Sequence, residues 1–185
     1  MLRPTYPIRT ARLLLRPFRP DDLDALHAVQ SRDDVTRYLY WSPRTRTEVA
    51  DVLRSRLGMT ALEREGDILV LAVELAGAGT VLGDVNLAWR SVEHRQGEFG
   101  FVFHPDHHGH GYAGEAAVEM LRLGFEQLGL HRIIGRADGR NTASARLMEK
   151  LGMRREAHFV QNEVVKGEWT DEVVYAMLAR EWADR

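Results

Sequence analysis

The sequence contains no cysteine among its 185 residues. This absence excludes disulfide bonds, thiolate zinc sites and cysteine nucleophiles. Long apolar runs are missing as well, and no segment approaches the ~18 consecutive apolar residues of a membrane-spanning helix. Residues 1–12 contain three arginines and two prolines and lack the apolar core of a signal peptide. We therefore expect a cytoplasmic protein with no membrane partner.

A surplus of basic charge is also absent. The chain carries 25 Lys and Arg residues against 27 Asp and Glu residues, for a formal net charge of −2. Proteins that bind nucleic acids generically concentrate positive charge, so we expect no nucleic-acid partner. Low-complexity stretches and internal repeats are missing too. Because the length suits one globular unit, we predict a single domain over residues 1–185.

The first third of the chain shows one strand pattern and two helix patterns. Residues 12–18 are an apolar run closed by prolines, which predicts a strand. Residues 20–30 begin with a proline and two aspartates and continue with helical spacing, which predicts a helix. Thr45 and Glu48 have the spacing of a capping box, and we predict a second helix over residues 46–65.

The middle of the chain predicts a hairpin followed by a βαβ unit. Residues 68–75 and 80–89 are rich in strand-forming residues and are separated by a turn sequence, which indicates an antiparallel hairpin. A strand at 98–103, a helix at 112–128 and a strand at 131–137 follow in order. The two strands of such a unit are parallel, with a right-handed crossover.

The end of the chain predicts a short helix and two long strands. Residues 141–151 have helical spacing and stop at Gly152, a favourable residue after a helix end. Residues 154–178 are predicted to form two strands joined near 166–167. Together these elements indicate an α+β fold with a mixed sheet.

The glycine-containing loop at residues 108–114 is the most informative segment. It lies between a predicted strand and the start of a predicted helix. Closely spaced glycines let the backbone approach a ligand, and the free N–H groups of a first helical turn form an anion site. A diphosphate would fit this loop, although such stretches are also often simple turns.

The loop resembles the signature of the GNAT acetyltransferases, Arg/Gln-x-x-Gly-x-Gly/Ala. His108, Gly111 and Ala113 occupy its defined positions, and His108 departs from it because the signature has Arg or Gln there. In that family backbone amides hold the diphosphate of coenzyme A. The resemblance therefore implies acetyl-CoA as co-substrate, no metal, and a cofactor loop made of His108, Gly109, His110, Gly111, Tyr112, Ala113 and Gly114.

A second match follows about 30 residues later in the chain. Residues 141–153 are similar to the family's helix motif Asn-x-x-Ser-x-x-hydrophobic-x-Lys-x-Gly-Phe. Two motifs in the correct order are more specific than either alone. The resemblance implies that Asn141 and Ser144 lie beside the pantetheine arm or the thioester, although both residue types would also serve as helix caps.

The strand at residues 98–103 resembles the family's fourth strand. That strand splays from the fifth and offers its backbone groups to pantetheine, which here implies contacts from Phe101, Val102 and Phe103. The implied fold is a central, mostly antiparallel twisted sheet with a parallel, splayed pair of strands and flanking helices. The C-terminal stretch 166–175, together with residues 12–18, resembles the RimJ/RimL-like subgroup, whose acceptors include ribosomal-protein N-termini, aminoglycosides, polyamines and other small amines.

The resemblance also suggests catalytic residues. Related enzymes carry a glutamate at the position of Glu98, which is our candidate for the base; an edge carboxylate in solvent is the alternative. Some family members protonate the leaving thiolate with a tyrosine on the second-motif helix, but this chain has Met148 there. Ser144 or a water molecule is the candidate replacement.

An acceptor pocket is predicted near the first two helices. Acidic and aromatic side chains there suit a cationic amine, although acidic pairs are often caps or solvated surface; the candidates are Asp33, Asp34, Tyr38 and Trp41. The predicted partners are acetyl-CoA and an amine acceptor, and a homodimer is one hypothesis for the assembly.

Two other functions remain open at this point. The histidines at 104, 107, 108 and 110 are a cluster of common metal ligands, which is the hypothesis of a metal-binding protein. A non-catalytic acyl-CoA-binding or sensor module is the other alternative, since cofactor motifs can outlast catalysis. Turnover of acetyl-CoA with an amine separates the module from the enzyme.

Overall fold

One eight-stranded sheet organises the computed structural model, which describes all 185 residues. The spatial order is β1-β2-β3-β4-β5-β6-β8-β7, and every neighbouring pair is antiparallel except β5 and β6. This mixed sheet confirms the predicted fold class. The strands are β1 (Ile8–Arg9), β2 (Leu13–Arg16), β3 (Ile68–Leu75), β4 (Val81–Ser91), β5 (Gln96–Phe103), β6 (Arg132–Asp138), β7 (Arg154–Val165) and β8 (Glu168–Leu178).

Helices flank the sheet on both faces. They are α1 (Leu23–Gln30), α2 (Asp33–Thr36), α3 (Arg46–Arg56), α4 (Tyr112–Arg122), α5 (Thr142–Lys150) and α6 (Ala179–Ala183). A π-helical turn over Leu123–Gln127 extends α4 to nearly the predicted length. No helix of the structure has the length and apolar character needed to cross a membrane.

The prediction that the second helix reaches residue 65 is wrong. The capping box of Thr45 and Glu48 does start α3, but the helix ends at Arg56. Beyond Gly58 the chain turns back to the sheet and the N-terminus, where Leu62 forms a β-bridge with Leu2. Leu62 is fully buried in the core. Tertiary pairing at this point outweighs the helical preference of the local sequence.

The two faces of the sheet bury separate sets of apolar residues. In β3, Leu69, Leu71 and Val73 belong to the main core, whereas Val70 and Ala72 pack on the opposite face. The main core lies under α4 and α5, and the smaller cluster lies under α1 and α3. Because both faces of β3 are covered, its sequence is a continuous apolar run instead of an alternating one.

The parallel pair of β5 and β6 is short. Its register joins Gln96 to Arg132, Gly97 to Ile133 and Glu98 to Ile134, and there the pairing stops. Farther along, β5 stays paired with β4, while β6 stays paired with β8. The two strands therefore diverge after Glu98, and a V-shaped gap opens in the middle of the sheet.

Candidate functional site

A cleft of about 1160 Å³ opens where β5 and β6 diverge. This volume slightly exceeds the usual range for small-molecule sites, roughly 300–1,000 Å³. Segments that are far apart in sequence line it together: the end of β5, the loop before α4, the start of α5, the segment after α2 and the β7–β8 hairpin. The cleft therefore joins both sequence motifs to the predicted acceptor region.

The loop before α4 lines this cleft, and its peptide N–H groups after His108 have no partner within the protein. None of the six N–H groups of residues 109–114 donates to an acceptor within the protein; the first helical bond runs from the Glu115 N–H to the Gly111 carbonyl. Gly109 and Gly111 have φ values of +80° and +81°, which favour glycine. The 11-residue helix α4 adds the positive end of its dipole. This arrangement is suited to an anion.

Arg12 and Glu115 anchor the same loop from outside. The guanidinium Nε of Arg12 donates to Glu115 Oε2 at 2.8 Å, and its Nη1 donates to the carbonyl of His110 at 2.9 Å. The Arg12 N–H and the Thr10 hydroxyl both donate to Glu115 Oε1. Burial opposes ionisation of Glu115, but hydrogen bonds from Thr10 and Arg12 outweigh it and lower the pKa of this carboxyl.

The histidines of this region serve the loop in different ways. The ring Nε2 of His108 lies 3.2 Å from the carbonyl oxygen of Phe103, which joins the loop to the end of β5. The ring of His110 stacks on Tyr112 with centroids 5.5 Å apart, and it is not among the residues lining the cleft. Burial, and secondarily neighbouring His104, lower the pKa of His107. No group of three or more candidate ligands is arranged to bind a metal ion.

The outer half of β5 forms one wall of the cleft. Phe101, Val102 and Phe103 all line it, and on this edge the strand has no partner from β6. Gly100, on the same strand, faces Asn86 of β4, whose amide nitrogen would lie 2.9 Å from a β-carbon at that position. The missing side chain of Gly100 thus makes room for the Asn86 amide, another residue of the cleft lining.

The start of α5 forms the opposite wall. The side-chain oxygen of Asn141 accepts a hydrogen bond from the Ser144 N–H at 3.1 Å, so Asn141 is the N-cap of this helix. Both Asn141 and Ser144 also line the cleft. One turn later Met148 is 1% exposed and belongs to the core. The cap and the position beside the cleft are compatible, because capping uses the amide oxygen and leaves the NH₂ group free.

Two carboxylates, Glu98 and Glu172, line the part of the cleft near the segment after α2, which we call the acceptor end after the residues predicted there. Glu98 Oε2 accepts from Arg90 at 3.0 Å, and Glu98 Oε1 accepts from Arg136 at 3.3 Å. Arg136 also donates to Glu172 at 2.9 Å, and Asn162 donates to the other Glu172 oxygen. Burial raises the pKa of Glu172, which is 6% exposed. Sequence reasoning missed Glu172 because its position on β8 beside β6 depends on strand pairing.

Three of the four predicted acceptor residues line the cleft. Asp34, Tyr38 and Trp41 do, whereas the structure does not bring Asp33 into it. The hydrogen-bonded ion pair with Arg32 lowers the pKa of Asp34 to about 2. Asp33 and Asp34 differ in this respect because successive residues of the short helix α2 face different directions.

The β7–β8 hairpin reaches across to the segment after α2. The Tyr40 hydroxyl donates to Glu163 at 2.6 Å, and the Lys166 ammonium donates to the Thr36 carbonyl at 2.6 Å. Burial, followed by the hydrogen bond to Glu163, raises the pKa of Tyr40 to about 12. These contacts connect two borders of the acceptor end of the cleft.

The comparisons with known proteins agree with this geometry. A family model described as an acetyltransferase (GNAT) domain matches residues 12–154. The N-acetyltransferase YnaD of Bacillus subtilis, itself uncharacterized, is 34% identical over 175 residues, which are 95% of this chain and 98% of that protein. A spermidine N(1)-acetyltransferase of Vibrio cholerae is 26% identical over 161 residues, 87% of this chain and 90% of that protein.

A solved structure gives the same result. The crystal structure of a GNAT-family acetyltransferase from Bacillus anthracis superposes with a TM-score of 0.84 at 35% sequence identity. The superposition covers 94% of this chain and 99% of that one. The predicted fold and enzyme class are thereby confirmed. The chain belongs to the GNAT acetyltransferase family and is an acetyltransferase.

Proposed function

We propose that this enzyme transfers the acetyl group of acetyl-CoA to a primary amine by direct attack in a ternary complex. The observation that carries this proposal is the set of six free peptide N–H groups at residues 109–114, beside the gap between β5 and β6. The N–H groups suit the diphosphate, and the gap gives the thioester arm a route to the opposite face of the sheet.

The residues that would hold acetyl-CoA follow the length of the cleft. The loop for the diphosphate is formed by His108, Gly109, His110, Gly111, Tyr112, Ala113 and Gly114, all of which line the cleft except His110. The main chain of Phe101, Val102 and Phe103 would pair with the amides of pantetheine from one wall. Asn141 and Ser144 face it from the other wall. The donors and acceptors of an extended arm would thus be satisfied on both sides.

Glu98 is the proposed base at the acceptor end. Only a neutral amine attacks a thioester, and near neutral pH deprotonation costs about 1.4 kcal/mol for an α-amine but roughly 4 to 5 kcal/mol for a lysine-type or polyamine nitrogen. A base is therefore optional for the first class and needed for the second. Two lone-pair directions of Glu98 remain available beside those used by Arg90 and Arg136.

Backbone and hydroxyl groups would complete the transfer. A free N–H of β5 near Phe101 or Val102 would donate to the carbonyl oxygen as negative charge develops on it. Ser144, or a water molecule beside it, would give a proton to the departing thiolate. Met148 has no proton to donate. Because a CoA thiolate is a fair leaving group, loss of the Ser144 hydroxyl is expected to slow the reaction without abolishing it.

The acceptor is proposed to be a protein N-terminus or a small-molecule amine. The C-terminal hairpin supports placement in the RimJ/RimL-like subgroup. The spermidine N(1)-acetyltransferase at 26% identity supports including polyamines among the candidates. Asp34, Tyr38 and Trp41 border the space in which such an amine would lie.

A panel of amines tests the proposal directly. Peptides with different first residues, polyamines and aminoglycosides would be incubated with acetyl-CoA, and release of the CoA thiol would be followed. Amine-dependent release supports the acetyltransferase proposal and identifies the acceptor class. Tight binding of CoA without release for any amine would instead support a non-catalytic acyl-CoA-binding module.

A further inference from the structure

Arg12 of β2 uses two of its three guanidinium nitrogens on the loop before α4. Nε donates to Glu115, and Nη1 donates to the carbonyl of His110. The guanidinium also lies over the ring of Tyr112, 4.7 Å from its centroid. A side chain fixed on three sides has lost most of its rotamer freedom, so a further contact would cost little additional entropy.

The remaining guanidinium nitrogen, Nη2, makes no hydrogen bond within the protein. The contacts of Arg12 to Glu115 and His110 use its backbone N–H, Nε and Nη1. It lies 3.5 Å from where a β-carbon on Gly111 would be. Gly111 is the N-cap of α4 and belongs to the segment of free N–H groups. Arg12 is not part of the cleft lining itself, but its unused N–H donors lie beside Gly111, which does line the cleft.

The two histidines of the loop, His108 and His110, use their rings for contacts within the protein. The His108 ring contacts the Phe103 carbonyl, and the His110 ring contacts the His108 carbonyl while stacking on Tyr112. Arg12 brings a permanent positive charge to this loop from outside it, paired on one side with Glu115. Arginine is suited to this task because its planar group can bind the loop and an oxyanion simultaneously.

The geometry points to Arg12 as a phosphate-binding residue: it holds the loop through Glu115 and His110, and its Nη2 donates to the diphosphate of the co-substrate. This inference rests on the proposed binding of acetyl-CoA at residues 109–114. It assigns part of the cofactor affinity to the N-terminal strand, about 100 residues before the loop.

The test compares ligands with and without the phosphates. Binding of CoA and of dephospho-CoA, which keeps the diphosphate, would be measured by calorimetry for wild type and Arg12→Ala. We expect Arg12→Ala to weaken both by the same factor, about ten- to a hundredfold. In turnover assays, kcat/KM for S-acetylpantetheine, which lacks the phosphates, is expected to stay within about twofold of wild type.

Controls separate an effect confined to the diphosphate site from a general loss of structure. Arg9→Ala removes an exposed arginine from the neighbouring strand and should leave CoA binding unchanged. If Arg12→Ala reduces activity equally with S-acetylpantetheine, Arg12 is only structural and the inference is overturned. If Arg12→Ala does not fold, Arg12→Lys is measured instead. We expect this variant to lose at least about fivefold in CoA affinity, because one ammonium group cannot bind the loop and the diphosphate together. Full affinity in Arg12→Lys would overturn the inference.

The same measurements distinguish this inference from the proposed function. If the wild-type protein does not bind CoA, the proposed function fails. If wild type binds CoA and Arg12→Ala binds it equally well, only the role of Arg12 fails.

Discussion

The sulfur of Met148 lies where a side chain on Gly135 would have to be placed. A β-carbon on Gly135 would be 2.6 Å from Met148 Sδ and 2.8 Å from the ring of Phe99. Gly135 is the first residue of β6 beyond the last pair with β5. Helix α5 therefore packs closely against the point where the two strands separate, and this contact helps to set the position of the cleft wall.

Gly135→Ala is expected to destabilise the fold by about 1–3 kcal/mol, because the added methyl group overpacks a closed site. Thermal or denaturant unfolding would measure the change. Gly58→Ala is a matched control, since the nearest atom to a β-carbon there is 4.0 Å away. Equal stability of Gly135→Ala and wild type would show that α5 does not pack tightly at this point.

Asn141 allows capping to be separated from ligand binding. Asn141→Asp keeps an oxygen that can accept the Ser144 N–H but loses the NH₂ donor. We expect this variant to unfold at the wild-type temperature and to show a raised KM for acetyl-CoA. Asn141→Ala should lose about 1 kcal/mol of stability in addition. An unchanged KM in the stable Asn141→Asp variant would limit Asn141 to capping.

Replacement of Glu98 tests the proposed base. Glu98→Gln is expected to slow turnover most at low pH, where the largest fraction of the amine is protonated and deprotonation is most costly. The pH dependence of kcat/KM would be compared with that of Glu172→Gln. An unchanged profile in Glu98→Gln would remove Glu98 from this role. If only Glu172→Gln slows turnover, Glu172 and not Glu98 would be the group that accepts the proton from the amine. Burial raises the pKa of this carboxyl.

The buried ion pair between Arg16 and Asp22 predicts a pH-dependent contribution to stability. Two parallel hydrogen bonds of 2.8 Å join them, and both side chains are 6% exposed. Burial opposes ionisation of Asp22, but Arg16 and the Arg19 N–H outweigh it, and the net pKa of Asp22 is lowered. A lowered folded-state pKa stabilises the protein above the unfolded-state pKa, and this contribution is lost as the pH falls through the folded-state value.

Asp22→Asn is therefore expected to destabilise the protein by about 1–3 kcal/mol near neutral pH, because Arg16 loses the charge of one partner but keeps its ion pair with Glu74 at 2.6 Å. The difference from wild type should shrink in acid. Urea unfolding at several pH values measures it. A difference that is independent of pH would contradict the assignment to the Asp22 charge.

Local sequence patterns predicted the features that depend on local chemistry. The hairpin of β3 and β4, the parallel strands around α4 and the cap at Asn141 all follow from nearby residues. The early end of α3 does not, because it depends on the pairing of Leu62 with Leu2. The glycine loop is recognisable because its pattern is also local: a strand, closely spaced glycines and the start of a helix follow one another within a short segment.

Contacts between distant segments were beyond sequence reasoning. Arg12 meets Glu115 across 103 positions, and Arg136 joins Glu98 to Glu172, which comes from a different strand. Nothing in the spacing of these residues indicates that they touch, because each contact depends on strand order in the sheet. The grouping of residues on the acceptor side therefore required the structure, whereas the loop before α4 and the start of α5 are recognisable from local motifs.

Binding of CoA to Gly111→Val, measured by calorimetry beside Gly129→Val, tests the central claim most directly. Both glycines have positive φ values, +81° and +73°, so a β-branched residue strains both backbones by about 1–2 kcal/mol. Only Gly111 belongs to the segment of free N–H groups. We predict that Gly129→Val binds CoA like wild type and that Gly111→Val, although folded, loses binding. Wild-type affinity in Gly111→Val would contradict the assignment of the loop as the diphosphate site.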